Sequence, residues 1–108
     1  MVRQIHSRDL AKRLANGQPV QLIDVRQSWE NAIVALPESQ LIPLNELPRR
    51  ASEIQPNPDR AIVIYCHHGI RSMSAAAFLE KLGFGDVWSL TGGIDAWSCE
   101  VDPTMARY

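Results

Sequence analysis

A thiol, two imidazoles, a guanidinium and a hydroxyl fall close together in the stretch Cys66, His67, His68, Gly69, Ile70, Arg71, Ser72. The residues before it, Ala61 to Tyr65 (AIVIY), form an apolar, β-branched run with strand character, and the residues after it have helical character. A cysteine at the carboxyl end of a buried strand, followed by a short glycine-containing loop and a helix starting at Ser72, sits where loop N–H groups and the positive end of the helix converge. Such surroundings favour the thiolate of Cys66, with Arg71 and a protonated His67 or His68 adding positive charge. The thiolate is a nucleophile, and the same cradle would hold an anionic substrate group or a charged covalent intermediate. Arg71 offers planar, two-pronged contacts to a sulfonate or other oxyanion. Gly69 permits a backbone turn closed to most residues.

Competing readings of these residues are structural. A buried, inert thiol is the ordinary fate of a free cysteine, yet the loop after Cys66 sets it apart from Cys99, which lacks basic neighbours and reads as structural. A zinc site built from Cys66, His67, His68 and Cys99 is disfavoured because adjacent side chains diverge and the usual ligand spacings leave about two to five residues between them. Asp24 and Arg26 lie at the carboxyl end of another apolar run and are expected to support the cysteine loop. Asp24 suits hydrogen bonding to backbone amides of neighbouring loops more than direct catalysis, while Arg26 suits either packing or a basic rim that draws in an anionic substrate. Trp29, Trp88 and Trp97 read as core or edge packing. Gly92 and Gly93 read as a tight strand-to-helix turn, at an edge that could also border the site.

The elements that must position these groups are short. Val20 to Val25, Leu41 to Leu44, Ala61 to Tyr65 and Asp86 to Leu90 read as buried strands, with a weaker one at Val2 to Ile5. Between them, Ser7 is expected to cap a helix carrying Leu10, Ala11 and Leu14 that ends at Asn16 and Gly17. Asn45 to Ile54 is expected to hold a short helix limited by Pro48, and QPNPD (Gln55 to Asp59) a loop. A clearer helix places Ala75, Phe78, Leu79 and Leu82 on one face and stops at Gly83. Cys99 falls near the end of a terminal helix. Strands alternating with helices imply an α/β fold, a parallel sheet covered on both faces, with its site outside the carboxyl ends of the strands.

The bulk properties narrow the functions available. The chain has 108 residues, 45% of them hydrophobic and 21% charged, which suits one soluble domain spanning residues 1–108. A net charge of −1 gives no long-range attraction to nucleic acid or to an anionic membrane. The start, MVRQIHSRDLAKRLANG, lacks the apolar centre of a signal peptide, and no apolar run approaches membrane-spanning length, so a cytoplasmic location is expected.

The segment YCHHGIRS resembles the active-site loop of the rhodanese (sulfurtransferase) family. LIDVR with the following Trp29-Glu30, LPESQLIPLNELP and LTGGIDAW resemble that family's other signatures in the right order, over nearly the whole chain. The resemblance implies a three-layer fold with a central parallel sheet of about five strands flanked by helices. It further implies a ping-pong transfer in which Cys66 takes the outer sulfur of a small anionic donor such as thiosulfate and passes it to cyanide, a thiol or a protein. By the same resemblance no metal or organic cofactor would be needed, the loop from His67 to Ser72 would steady the persulfide, and a monomer or weak homodimer would suffice. Where many family members read H-x-P-G-A, this chain reads Ala35, Leu36, Pro37, Glu38, Ser39, so a different turn is expected there. Cysteine phosphatases that share the fold place one more residue between cysteine and arginine, which disfavours a phosphatase or arsenate reductase. A binding module without catalysis and a relay between protein carriers remain alternatives.

Overall fold

The computed structural model describes residues 2–55, 57 and 59–108, so Pro56 and Pro58 of the expected loop at Gln55 to Asp59 lie outside the described residues. The strands are β1 (Arg3–Ile5), β2 (Val20–Asp24), β3 (Gln40–Leu41), β4 (Ala61–Tyr65) and β5 (Val87–Leu90). They form one parallel sheet in the order β1-β5-β4-β2-β3. The helices are α1 (Ser7–Ala15), α2 (Ser28–Ile33), α3 (Leu47–Arg50), α4 (Ile70–Lys81) and α5 (Gly93–Glu100).

The twofold alternation of β4 builds a core on each face of the sheet. Ile62, Ile64 and Cys66 pack with Ala75, Ala76 and Leu79 of α4, whereas Val63 and Tyr65 pack with Leu10 of α1 and with Ile94 and Trp97 of α5. The alanines let α4 lie close to the sheet, and the fully buried Leu79 contributes about 1.5–3 kcal/mol by leaving water. No helix among the described residues is long and apolar enough to cross a membrane.

Several local expectations shift. His6, with extended backbone, precedes α1, and Ser7 lies inside the helix with its buried Oγ unpartnered, so Ser7 is not the cap. Asn16 and Gly17, the latter at φ 71°, end α1 as the sequence indicates. The strand expected at Leu41 to Leu44 shrinks to Gln40–Leu41: the Ile42 and Leu44 N–H groups still donate to the Asp24 and Val25 carbonyls at 2.8 and 3.0 Å, but Leu44 already opens a 3-10 turn. The short helix expected within Asn45 to Ile54 is the single turn of α3, with Pro48 in its first turn, flanked by 3-10 turns at Leu44–Glu46 and Ala51–Glu53. Leu82 sits after the last turn of α4 and is 53% exposed rather than on the buried face.

The helix-to-strand turn at Ala35 to Ser39, between α2 and β3, keeps a left-handed residue without a glycine. Glu38, where the family pattern has glycine, stands at φ 63°. Side-chain and backbone bonds hold it: Ser39 Oγ donates to the Leu36 carbonyl at 2.8 Å, and the Leu36 N–H donates to the Tyr65 hydroxyl at 3.1 Å.

Candidate active site

The carboxyl end of β4 delivers Cys66 into a loop that curls around its sulfur. The Gly69 N–H points at Sγ from 3.1 Å and the Ser72 N–H from 3.4 Å, while the Ser72 hydroxyl lies at 3.6 Å. Two amides at the start of a twelve-residue helix thus converge on one sulfur, the arrangement that stabilises negative charge. Helix α4 begins at Ile70, two residues before the start expected at Ser72, because Gly69 at φ 100° turns the chain directly into it. Behind Ser72, the buried Ser89 of β5 shares a hydroxyl–hydroxyl bond of 2.7 Å with it.

Helix α5 fixes the outer side of the loop. The Ile94 N–H donates to the Cys66 carbonyl at 2.9 Å and the Asp95 N–H to the His67 carbonyl at 3.1 Å. This contact demands glycine at the helix start, since a Cβ on Gly93 would meet the Cys66 and His67 carbonyl oxygens at 2.4 and 2.5 Å. The Gly92-Gly93 turn therefore borders the site.

Arg71 does not present an empty fork. Its Nη1 and Nη2 donate to Glu30 Oε1 and Oε2 at 2.6 and 2.9 Å, and Tyr108 Oη donates to Glu30 Oε2 at 2.6 Å. The Gln27 N–H completes the set at 3.0 Å from Oε1. Arg71 is the first cause, opposed by burial and aided by Tyr108, that holds the Glu30 carboxyl down at about 2. Burial, with the bond to Glu30, pushes Tyr108 up to about 12. Glu30 in turn raises the Arg71 guanidinium above its ordinary value.

Arg26 does not form a basic rim: it is fully buried. Its Nε and Nη2 meet Asp24 Oδ1 and Oδ2 at 2.9 and 2.7 Å, Nη2 also meets the Val34 carbonyl at 2.7 Å, and Nη1 donates to Tyr108 Oη at 3.0 Å. Burial opposes its charge, but the bonds to Asp24 and Tyr108 outweigh that cost and raise its pKa. Asp24 also accepts the Arg26 backbone N–H at 3.0 Å and Asn31 Nδ2 at 2.9 Å, so it ties down the loop after β2 as expected, with Arg26 as its main partner. A pair this deep is expensive to break on one side only.

Aromatic rings form the mouth. The His67 ring stacks on Tyr108 with centroids 3.9 Å apart and planes at 11°, and His68 meets His67 edge-on at 3.9 Å. Burial first, and His68 second, pull the His67 pKa below its ordinary value. Trp29 is not core: it is 61% exposed and meets the Tyr108 ring edge-on at 5.9 Å. Trp97 is buried, Trp88 half-buried, and Ile70 stands 79% exposed beside the loop.

Of the expected site residues, Gly69 and Ser72 touch the Cys66 sulfur, Arg71 turns to Glu30, His67 stacks on Tyr108 with His68 against it, and Ile70 faces solvent; Arg26 reaches this cluster through Tyr108, and Asp24 lies behind Arg26. Cys99 is exposed on α5. Among the described residues no group of three His, Cys, Asp or Glu side chains could hold a metal ion. Sequence reasoning gave Glu30 no role beyond its place in the signature that follows LIDVR, and missed Ser89, Tyr108 and the helix α2 that carries Glu30. An acid three residues after Gln27 is a helix-start signal that was available, and a serine inside an apolar strand hints at a buried hydroxyl. Nothing local marks Tyr108.

The rhodanese-like domain profile matches residues 7–100. The chain is 42% identical over 106 residues to a sulfurtransferase of Allochromatium vinosum, a match that covers 98% of this chain and 97% of that one. It is 38% identical over 104 residues to a probable adenylyltransferase/sulfurtransferase, MoeZ, of Mycobacterium tuberculosis, covering 96% of this chain and 26% of that longer protein. A crystal structure of a rhodanese-like domain protein from Staphylococcus aureus superposes with a TM-score of 0.83 at 29% identity over 99% of each chain. Fold, loop and these similarities agree, and the chain belongs to the rhodanese-like domain family.

Proposed function

We propose that the protein is a sulfurtransferase that carries sulfur on Cys66, residues 1–108 acting as one domain. The observation that carries this reading is the convergence of the Gly69 and Ser72 N–H groups on the buried Cys66 sulfur at the N-terminus of α4. The Cys66 thiolate attacks the outer sulfur of a sulfane donor, the donor's sulfur–sulfur bond breaks, and its electron pair leaves with the departing group, sulfite when the donor is thiosulfate. The new persulfide ends in a negatively charged sulfur that the loop amides and the α4 dipole stabilise. A thiophilic acceptor such as cyanide, a small thiol or a protein thiol then attacks that outer sulfur, and Cys66 is released as thiolate.

The name of a relative supports this reading, since the protein from Allochromatium vinosum, matched over 97% of its length, is called a sulfurtransferase. The loop spacing supports sulfur over phosphorus: four residues separate Cys66 from Arg71, one fewer than the family resemblance gives for phosphatases. Intact-mass spectrometry after incubation with thiosulfate, then with cyanide, tests the cycle. One added sulfur that maps to Cys66 and leaves with cyanide is expected. Cys66→Ser should abolish the adduct and Cys99→Ser should retain it; equal loss in both variants would refute the assignment.

A further inference from the structure

We infer that Glu30 is a specificity-determining residue: by cancelling the charge of Arg71 it makes the site favour sulfane donors of low charge over the dianion thiosulfate. The inference rests on the sulfur transfer through Cys66 proposed above.

Charge pairing around the cradle carries it. Arg71 is the cation of the loop itself, and both its terminal nitrogens are held by a carboxylate whose side chain is only 4% exposed. That carboxylate takes donors from three sources at once, Arg71, Tyr108 and the Gln27 amide, so it is anchored rather than passing. The next cation outward, Arg26, is matched by Asp24. On the α5 side, Asp95, whose amide holds the His67 carbonyl, is matched by Arg107 at 3.0 Å. His67 is biased to its neutral form by burial and by His68. What remains to attract a donor is short-range: the amides and the helix end, which favour one negative charge near the sulfur and give little extra for a second charge further away. Exposed Trp29 and Ile70 beside the cradle add apolar surface, which suits a donor whose sulfur is borne on an organic group.

A matched pair of donors isolates charge. Methanethiosulfonate differs from thiosulfate by a methyl group in place of one charged oxygen; each loses its outer sulfur to the thiolate, leaving methanesulfinate or sulfite. In the wild-type protein, KM for both donors should depend weakly and about equally on ionic strength. A thiosulfate KM that rises with salt about twice as steeply as that of methanethiosulfonate, as valence alone dictates for a net cationic site, would overturn the inference.

The Glu30→Gln variant keeps an oxygen that accepts from Arg71 and removes the charge. It should lower KM for thiosulfate about fivefold more than KM for methanethiosulfonate, and should make the thiosulfate KM salt-sensitive. A role confined to positioning Arg71 predicts instead equal changes for both donors, and that result also overturns it. The wild-type salt comparison stands whether or not the variant folds. Intact mass separates the two levels: a Cys66 adduct from both donors with an unmoved KM ratio refutes only the role of Glu30, whereas no adduct from either donor refutes sulfur transfer itself and this inference with it.

Discussion

Replacing Gly93 with alanine tests whether α5 clamps the cysteine loop. The residue stands at φ 61°, and an added Cβ would lie 2.4 Å from the Cys66 carbonyl oxygen and 2.6 Å from the His67 carbonyl carbon, backbone atoms that cannot swing aside. Relief requires the helix start to back away from the loop, which breaks the bonds from Ile94 N–H and Asp95 N–H. Each such bond is worth about 1 kcal/mol, and a left-handed alanine costs about 1 kcal/mol relative to glycine. The expected loss is therefore about 3 kcal/mol. Gly17 supplies the control, since it has φ 71° with open space around it, so Gly17→Ala should cost only the left-handed share of about 1 kcal/mol. Urea denaturation of both variants reads the difference. Equal losses would show that the loop is not clamped by α5, and a Gly93→Ala protein that still loads sulfur on Cys66 at the wild-type rate would refute the link from clamp to site.

Two further outcomes follow from single residues. Glu38→Gly should stabilise the protein by about 0.5–1 kcal/mol in urea, because relief of left-handed strain outweighs the extra freedom of glycine in the unfolded chain; a destabilised variant would mean the turn holds Glu38 by contacts of its side chain. Glu30, with its folded pKa near 2 against an ordinary 4.5, contributes stability that is fully present above pH 4.5 and is lost as pH falls toward 2. That contribution is about 3 kcal/mol, so in acid titrations followed by denaturation Glu30→Gln should show a flatter loss over this window. An unchanged pH slope would sink the assignment.

The sequence by itself determined the parts that depend on neighbours along the chain. The β4 strand Ala61–Tyr65 occurs at its expected limits because a β-branched apolar run has only one good use, and Cys66 consequently sits at the carboxyl edge of a parallel sheet. Gly17, Gly83 and the Gly92-Gly93 pair mark chain reversals because positive φ is cheap only there. Tertiary structure decided what the side chains of the site do. Arg71 meets Glu30 across 41 positions and Tyr108 meets Glu30 across 78, separations at which no periodicity or capping signal speaks. Arg26, a surface residue by type, is buried because Asp24, Val34 and Tyr108 surround its guanidinium with acceptors once the sheet has formed. A residue's type and local pattern specify which element it joins, while the net charge of a site is set by which distant partner the topology brings to it.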